Sequence, residues 1–232
     1  MAVHSSDQSS TKIDNSQELS PINILSVDFD WIMAPSIEAY NNLVFNDNYK
    51  NWDSIVQQMP GIHFPCDLTK YKSLMVCLYN VVSGLKDKDH YKWGLNHDQI
   101  VECITKDWNL KNRPYNLYNI DHHHDCGYLD NGAPTVKEAL NQTMGRANWV
   151  CHLAQNTQLQ SYTWVHNETS QRSLSRDMIN HLHKFTDCID LNVIDFVQFD
   201  YVFLSASKEW VPPEYHCLFD TMTYLLAQLI KK

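Results

Sequence analysis

Asp121, His123 and Asp125 alternate with two further histidines in the run IDHHHD, directly after a short apolar stretch. At an extended strand end, side chains two residues apart point the same way, so these three can converge while His122 and His124 face elsewhere. Aspartate oxygens with a histidine nitrogen suit a divalent transition metal. A second acidic pair, Asp28-x-Asp30, also closes an apolar run, ILSVDFD. Alone, such a pair is often just a solvated turn. Ligands of α/β sheets gather at the carboxyl ends of strands, however, which places both motifs on one rim. Carboxylates crowded there resist burial unless cations neutralise them. Two divalent ions balance Asp28, Asp30, Asp121 and Asp125 better than one does. An oxygen-rich centre of this kind suits manganese or iron better than structural zinc. Its usual work is to activate water at neutral pH and to clamp an electrophile.

Alternating strands and helices are the elements that must position these residues. INILSVD reads as a buried strand, and Pro35-Ser36 then introduces a helix capped by Ser36. Tyr71, Leu74, Met75, Leu78, Val81, Val82 and Leu85 recur at helical spacing, with Gly84 as a stop. Asn96 or Asp98 caps a helix carrying Ile100, Val101, Ile104 and Trp108. RPYNLYNID is a strand feeding the histidine run, and LQSYTWVH and FVQFDYVFLSAS are further strands. Helices are expected over 133–145, over 174–185 and, behind two prolines, over 212–230. This order predicts an α/β fold of three layers, a largely parallel sheet flanked by helices. Residues 1–20 are polar, Ser-rich and aperiodic, which predicts a disordered tail before a single domain over 21–232.

Composition narrows the partners. The formal charge is −9, and no Lys/Arg cluster is present to displace counterions from phosphates, so nucleic acid is not expected. No apolar run is long enough to cross a bilayer, so neither is a membrane. The seven cysteines are scattered and never form a CxxC pair, the pattern of free thiols in a cytoplasmic protein.

The motifs together resemble the arginase-like ureohydrolases. DHHHD resembles their D-x-H-x-D motif and SVDFDWIMAP their S-x-D-x-D…P motif, although here the second precedes the first. NHD, with His97, is similar to the segment that supplies an additional histidine ligand. SKEWVPP places Glu209 where those enzymes hold a guanidinium group. ANWVCHL, with Asn148, resembles a segment of a divergent branch that includes the peptide arginases, which convert arginine side chains of ribosomal precursor peptides to ornithine. The resemblance implies an arginase-like fold and two divalent ions, most simply Mn2+. Asp28, Asp30, His97, Asp121, His123 and Asp125 would be the ligands. An arginine-containing peptide would be the substrate, with Glu209 and Asn148 binding it. Asp125 would also orient the attacking water. His152, with His124 or His166 behind it, would return a proton to the leaving amine.

Two other readings use the same residues. IDHH after a strand, with D-x-D upstream, is similar to the Asp-His-His phosphoesterases. Leu25 stands where that family has a histidine, and a chain with six glycines has little material for a phosphate-cradling loop. ILSVDFD also resembles the nucleophile strand of haloacid-dehalogenase-like phosphatases, without a second acidic motif to complete it. The last reading is a metal-stabilised protein that binds a peptide without altering it.

Overall fold

The seven residues of β1 (Ile22–Asp28), all buried except the half-buried Asn23, set the plan of the molecule, because neighbouring side chains feed two separate cores. The computed structural model describes residues 20–34, 64–127, 143–170 and 184–230. Five further strands join β1: β2 (Tyr91–Gly94), β3 (Tyr115–Ile120), β4 (Leu159–Val165), β5 (Phe185–Cys188) and β6 (Tyr201–Ser205). Their order is β2-β6-β1-β3-β4-β5, and every pairing is parallel.

Helices cover both faces. On one lie α1 (Leu68–Ser83) and α4 (His216–Ile230), which pack Leu74, Leu78, Val82, Phe219, Met222 and Leu226 against Leu25, Val27, Val202 and Leu204. On the other lie α2 (Ile100–Glu102) and α3 (Trp149–Asn156), whose Ile100, Val101, Trp149 and Leu153 meet Ile24, Leu117, Trp164 and Phe203. Parallel strands buried on both sides read as continuous apolar runs, as β1 and β6 do. The fold is a three-layer α/β arrangement with an all-parallel sheet. Asp67 starts α1 by accepting from the backbone N–H groups of Thr69 and Lys70.

Several elements differ from expectation. The segment after Asn96 is not one regular helix: a 3-10 turn (His97–Gln99) leads into α2 and then a π-helical stretch (Cys103–Asp107). The strand expected over 196–207 is only Tyr201–Ser205, and Phe196 is 90% exposed. Phe185, expected to end a helix, instead opens the edge strand β5. Neither α3 nor β2 was expected, because each is too short for its periodicity to stand out. The tail over 1–19, the helix after Ser36, and the greater part of the helices over 133–145 and 174–185 lie outside the described residues. No helix among the described residues is long and apolar enough to cross a membrane. All seven cysteines are free thiols.

The sheet order turns at β1. From it the chain goes to the far edge at β2, then returns to the other side as β3 and continues outward through β4 and β5. Such a reversal opens a crevice at the carboxyl ends of the central strands. Register brings the motifs to that crevice: Val27 pairs with Ile120, Asp28 with Ser205, and Gly94 with Ser205 from the other side.

Candidate metal centre

Asp28, Asp30 and Asp121 lie at or just beyond strand ends. Asp28 is the last residue of β1, and a 3-10 turn (Phe29–Ile32) brings Asp30 back over it. Asp121 follows β3. His97 lies three residues beyond β2. Gln99 Oε1 folds back to accept the backbone N–H groups of Leu95 and Asn96. A Cβ at Gly94 would sit 2.4 Å from that oxygen, so a side chain there would push Gln99 away from the turn that precedes His97.

His97 Nδ1 then faces three carboxylates: Asp121 Oδ2 at 2.9 Å, Asp125 Oδ2 at 3.1 Å and Asp28 Oδ2 at 3.2 Å. None of these contacts is aligned as a hydrogen bond, and Nδ1, Asp28 Oδ1 and Asp30 Oδ2 are buried without hydrogen-bond partners. In the adjacent group His123 Nδ1 lies 2.9 Å from Asp30 Oδ2 and 3.9 Å from the other oxygen of Asp121, Oδ1. Buried polar atoms without hydrogen bonds are costly. Ligands about 2.1 Å from an octahedral ion stand about 3 Å from one another, so these spacings are those of a coordination shell. Two groups could hold a metal ion: Asp28, His97 and Asp121, and Asp30, Asp121 and His123. Asp121 belongs to both.

The shell is held from behind. His97 Nε2 is 2.7 Å from Ser26 Oγ. With Nδ1 as ligand, Nε2 carries the proton and donates it to Ser26. Asn119 Nδ2 donates to Asp121 Oδ2 and to the Tyr162 hydroxyl, which donates to the His124 carbonyl. Trp149 Nε1 donates to Asp125 Oδ2, and Trp164 Nε1 to the Asp121 carbonyl. Removing the Ser26 hydroxyl alone should weaken metal affinity by roughly 10- to 100-fold without unfolding the protein. Metal titration of Ser26→Ala beside the wild type, with circular dichroism to check folding, measures this.

Strain collects at the same place. Asp125 has φ 51° and Ser207 has φ 41°, left-handed values that a non-glycine residue adopts at a cost. At Asp125 this explains how the motif converges. The strand ends at Ile120, so the three ligands are gathered by a bend and a left-handed residue rather than by extended alternation. Ser207 Oγ lies 3.1 Å from Ser205 Oγ, close enough to Asp28 to oppose the rise in its pKa.

Charge agrees with an ion-binding centre. Burial raises the carboxyl pKa of Asp28, with the charge of Asp30 adding to it. Burial, then the charges of Asp125 and Asp28, push that of Asp121 well above its ordinary value. Burial alone would lower the pKa of His97, but Asp28 and Asp121 hold it well above the usual imidazole value. At His123 burial also opposes protonation, and Asp30 outweighs it. Without a cation, then, the centre recruits protons in place of metal.

No family model matches the chain. No curated protein and no solved structure matches it either. The function therefore rests on the site itself.

Asp28, Asp30, His97, Asp121, His123 and Asp125 are brought together as the sequence suggested. Glu209, in the turn after β6, lies near enough for the charge of Asp28 to act on it. Burial raises its pKa, and Arg146, whose Nη1 is 2.5 Å from Oε1, opposes the rise. Asn148 is engaged in local hydrogen bonds. Its side-chain oxygen accepts from the Gly145 N–H and its amide donates to the Thr143 carbonyl, which closes the turn that starts α3. His152 is not brought to the cluster; it lies on the partly exposed side of α3 with Asn156 as its side-chain partner. Helical geometry explains this, since Trp149 and Leu153 take the inward face. His124 and His166 flank Trp164 behind the centre, and burial takes the pKa of His124 down to about 3.

The supporting residues Asn119, Ser205 and Ser207 were not picked out as site residues. Asn119 and Ser205 are polar residues within otherwise apolar strand segments, Asn119 two residues before Asp121, while Ser207 follows β6 and meets Ser205 through their hydroxyls. Arg146 left no signal, because its partner is 63 residues away.

Proposed function

We propose that the protein is a binuclear metal hydrolase acting on a guanidine group, with the arginine side chain of a peptide as substrate and Mn2+ as the metal. The observation that carries this reading is Asp121, whose two oxygens face different histidines, Oδ2 toward His97 and Oδ1 toward His123. A carboxylate shared in this way belongs to two neighbouring ions better than to one. Five of the six side chains form the two groups that could hold an ion, with Asp125 beside the first of them, and they fit the metal by oxygen-rich chemistry and by the buried, unbonded atoms of Asp28, Asp30 and His97.

The ions, when bound, would activate water at neutral pH and neutralise the carboxylates. The protein's own residues do the rest. Glu209 stands at the rim, about one-third exposed, and already holds a guanidinium, that of Arg146. A carboxylate matches the planar fork of guanidinium donors, so Glu209 would orient the substrate group toward the cluster. Asn119 and Trp149 fix Asp121 and Asp125, and Ser26 fixes the ring of His97. Hydrolysis adds one water across the carbon–nitrogen bond, releasing urea and leaving an ornithine side chain.

Asp-His-His phosphoester chemistry gains no observation of its own. The alternate residues Asp121, His123 and Asp125 meet in the cluster, while His122 Nδ1 lies 3.0 Å from Asn167 Nδ2. The test is mass spectrometry of an arginine-containing peptide with the manganese-loaded protein, beside a phosphodiester. Loss of one CH2N2 unit per arginine with urea in solution is expected. Phosphodiester cleavage with the peptide intact would overturn the reading.

A further inference from the structure

Glu209 is already paired, and its partner carries the same chemical group as the proposed substrate. Arg146 Nη1 donates to Glu209 Oε1, an ion pair between side chains 54% and 32% exposed. Arg146 is set there by the same turn that builds the centre. The Asn148 side chain closes the turn on Gly145, and the Ala147 carbonyl accepts the N–H of Gly127, two residues beyond Asp125. The next residue but two, Trp149, donates to Asp125 itself. Arg146 is therefore anchored at its backbone and free to swing only at its exposed end.

We propose that Arg146 is a resident competitor: its guanidinium occupies the Glu209 carboxylate until a substrate guanidinium displaces it. This deepens the reading of Glu209 as the group that receives the substrate's arginine, and rests on that reading. Any incoming group must compete with a resident guanidinium. A second guanidinium replaces the fork of donors in kind, whereas an ammonium offers a compact charge without that fork. The cost of displacing the resident arginine is the same for either group, so the preference for arginine over lysine lies in the match to the Glu209 carboxylate itself. That cost is modest, because a partly exposed pair is weak.

The experiment compares manganese-loaded wild type, Arg146→Ala, Glu209→Gln and the double variant. Calorimetry measures binding of N-acetyl-arginine amide and N-acetyl-lysine amide, and urea release is followed separately. Arg146→Ala is expected to bind the arginine probe about three- to fivefold more tightly. Lysine binding should tighten by a similar factor, leaving the preference for arginine unchanged. Glu209→Gln should weaken arginine binding, and removing Arg146 in that background should change nothing further. Unchanged or weaker arginine binding by Arg146→Ala, at an unaltered melting temperature, overturns the proposal. The two readings fail separately. A binding shift without urea release removes the hydrolase and keeps the displaced arginine; urea release without a shift does the reverse.

Discussion

Asp121→Asn is expected to reduce turnover by on the order of a thousandfold or more and to weaken both metal-binding groups at once. Asp121 is fully buried, and its oxygens serve different neighbours, Oδ2 with His97 and Oδ1 with His123. An amide keeps the shape but removes the charge, and its NH2 end presents hydrogens where a ligand oxygen is needed. Asp125→Asn should be more selective, since Asp125 meets only the His97 side of the cluster. His122→Ala provides the contrast. Its ring contacts Asn167, which ties down the carbonyls of Trp31 and Met33, so stability should fall while metal binding is largely kept. Metal titrations of the three variants, with folding checked by circular dichroism, separate these effects. Two-site binding retained in Asp121→Asn would be incompatible with a shared carboxylate.

The second large effect is on stability. Chelation of the metal should lower the melting temperature, and the gap between loaded and metal-free protein should widen as pH rises. The sign follows from the centre's own groups. In the folded, metal-free protein Asp28 and Asp121 have raised pKa values, through burial first and neighbouring carboxylates second. His97 is also raised, by Asp28 and Asp121 against its burial. Groups raised on folding favour the folded state below their unfolded values, and that contribution is lost as pH rises through the folded ones. The metal-free protein should therefore lose stability from about pH 4 upward for the aspartates and above about pH 6.5 for His97. Bound cations act oppositely, because they hold the same carboxylates in their charged form. At a hundredfold excess over its dissociation constant, a ligand of the folded state contributes about 2.7 kcal/mol. For a chain of this size that is a shift of roughly 5–10 °C. Thermal scans from pH 5.5 to 8 with and without manganese measure it. A gap that narrows with pH would refute the assignment of these groups as ligands.

The candidate ligands Asp28, Asp121 and His97 were legible in the sequence because each stands beside a strong local signal. Asp28 and Asp121 close apolar runs, and His97 follows a glycine and an asparagine that start a turn. Their meeting was legible too, from the rule that parallel sheets gather ligands at strand ends. What could not be read was how the shell is fixed. Asp125 arrives through a left-handed backbone, not through extended alternation. Trp149 reaches Asp125 from a helix too short to announce itself, which also carries His152 on its partly exposed side. Arg146 met Glu209 across a fold, a contact no local pattern encodes. Strand β5 was hidden for another reason, since three exposed or half-exposed residues around Thr186 give an edge strand no apolar rhythm.

The central claim is that six side chains form one two-ion centre organised around Asp121. Counting the metal tests it most directly: manganese titrated into metal-free protein, with bound ion per chain measured after removal of the excess. Two equivalents in the wild type are expected, falling below one in Asp121→Asn. A single equivalent in the wild type, or two equivalents unaffected by Asp121→Asn, would contradict it.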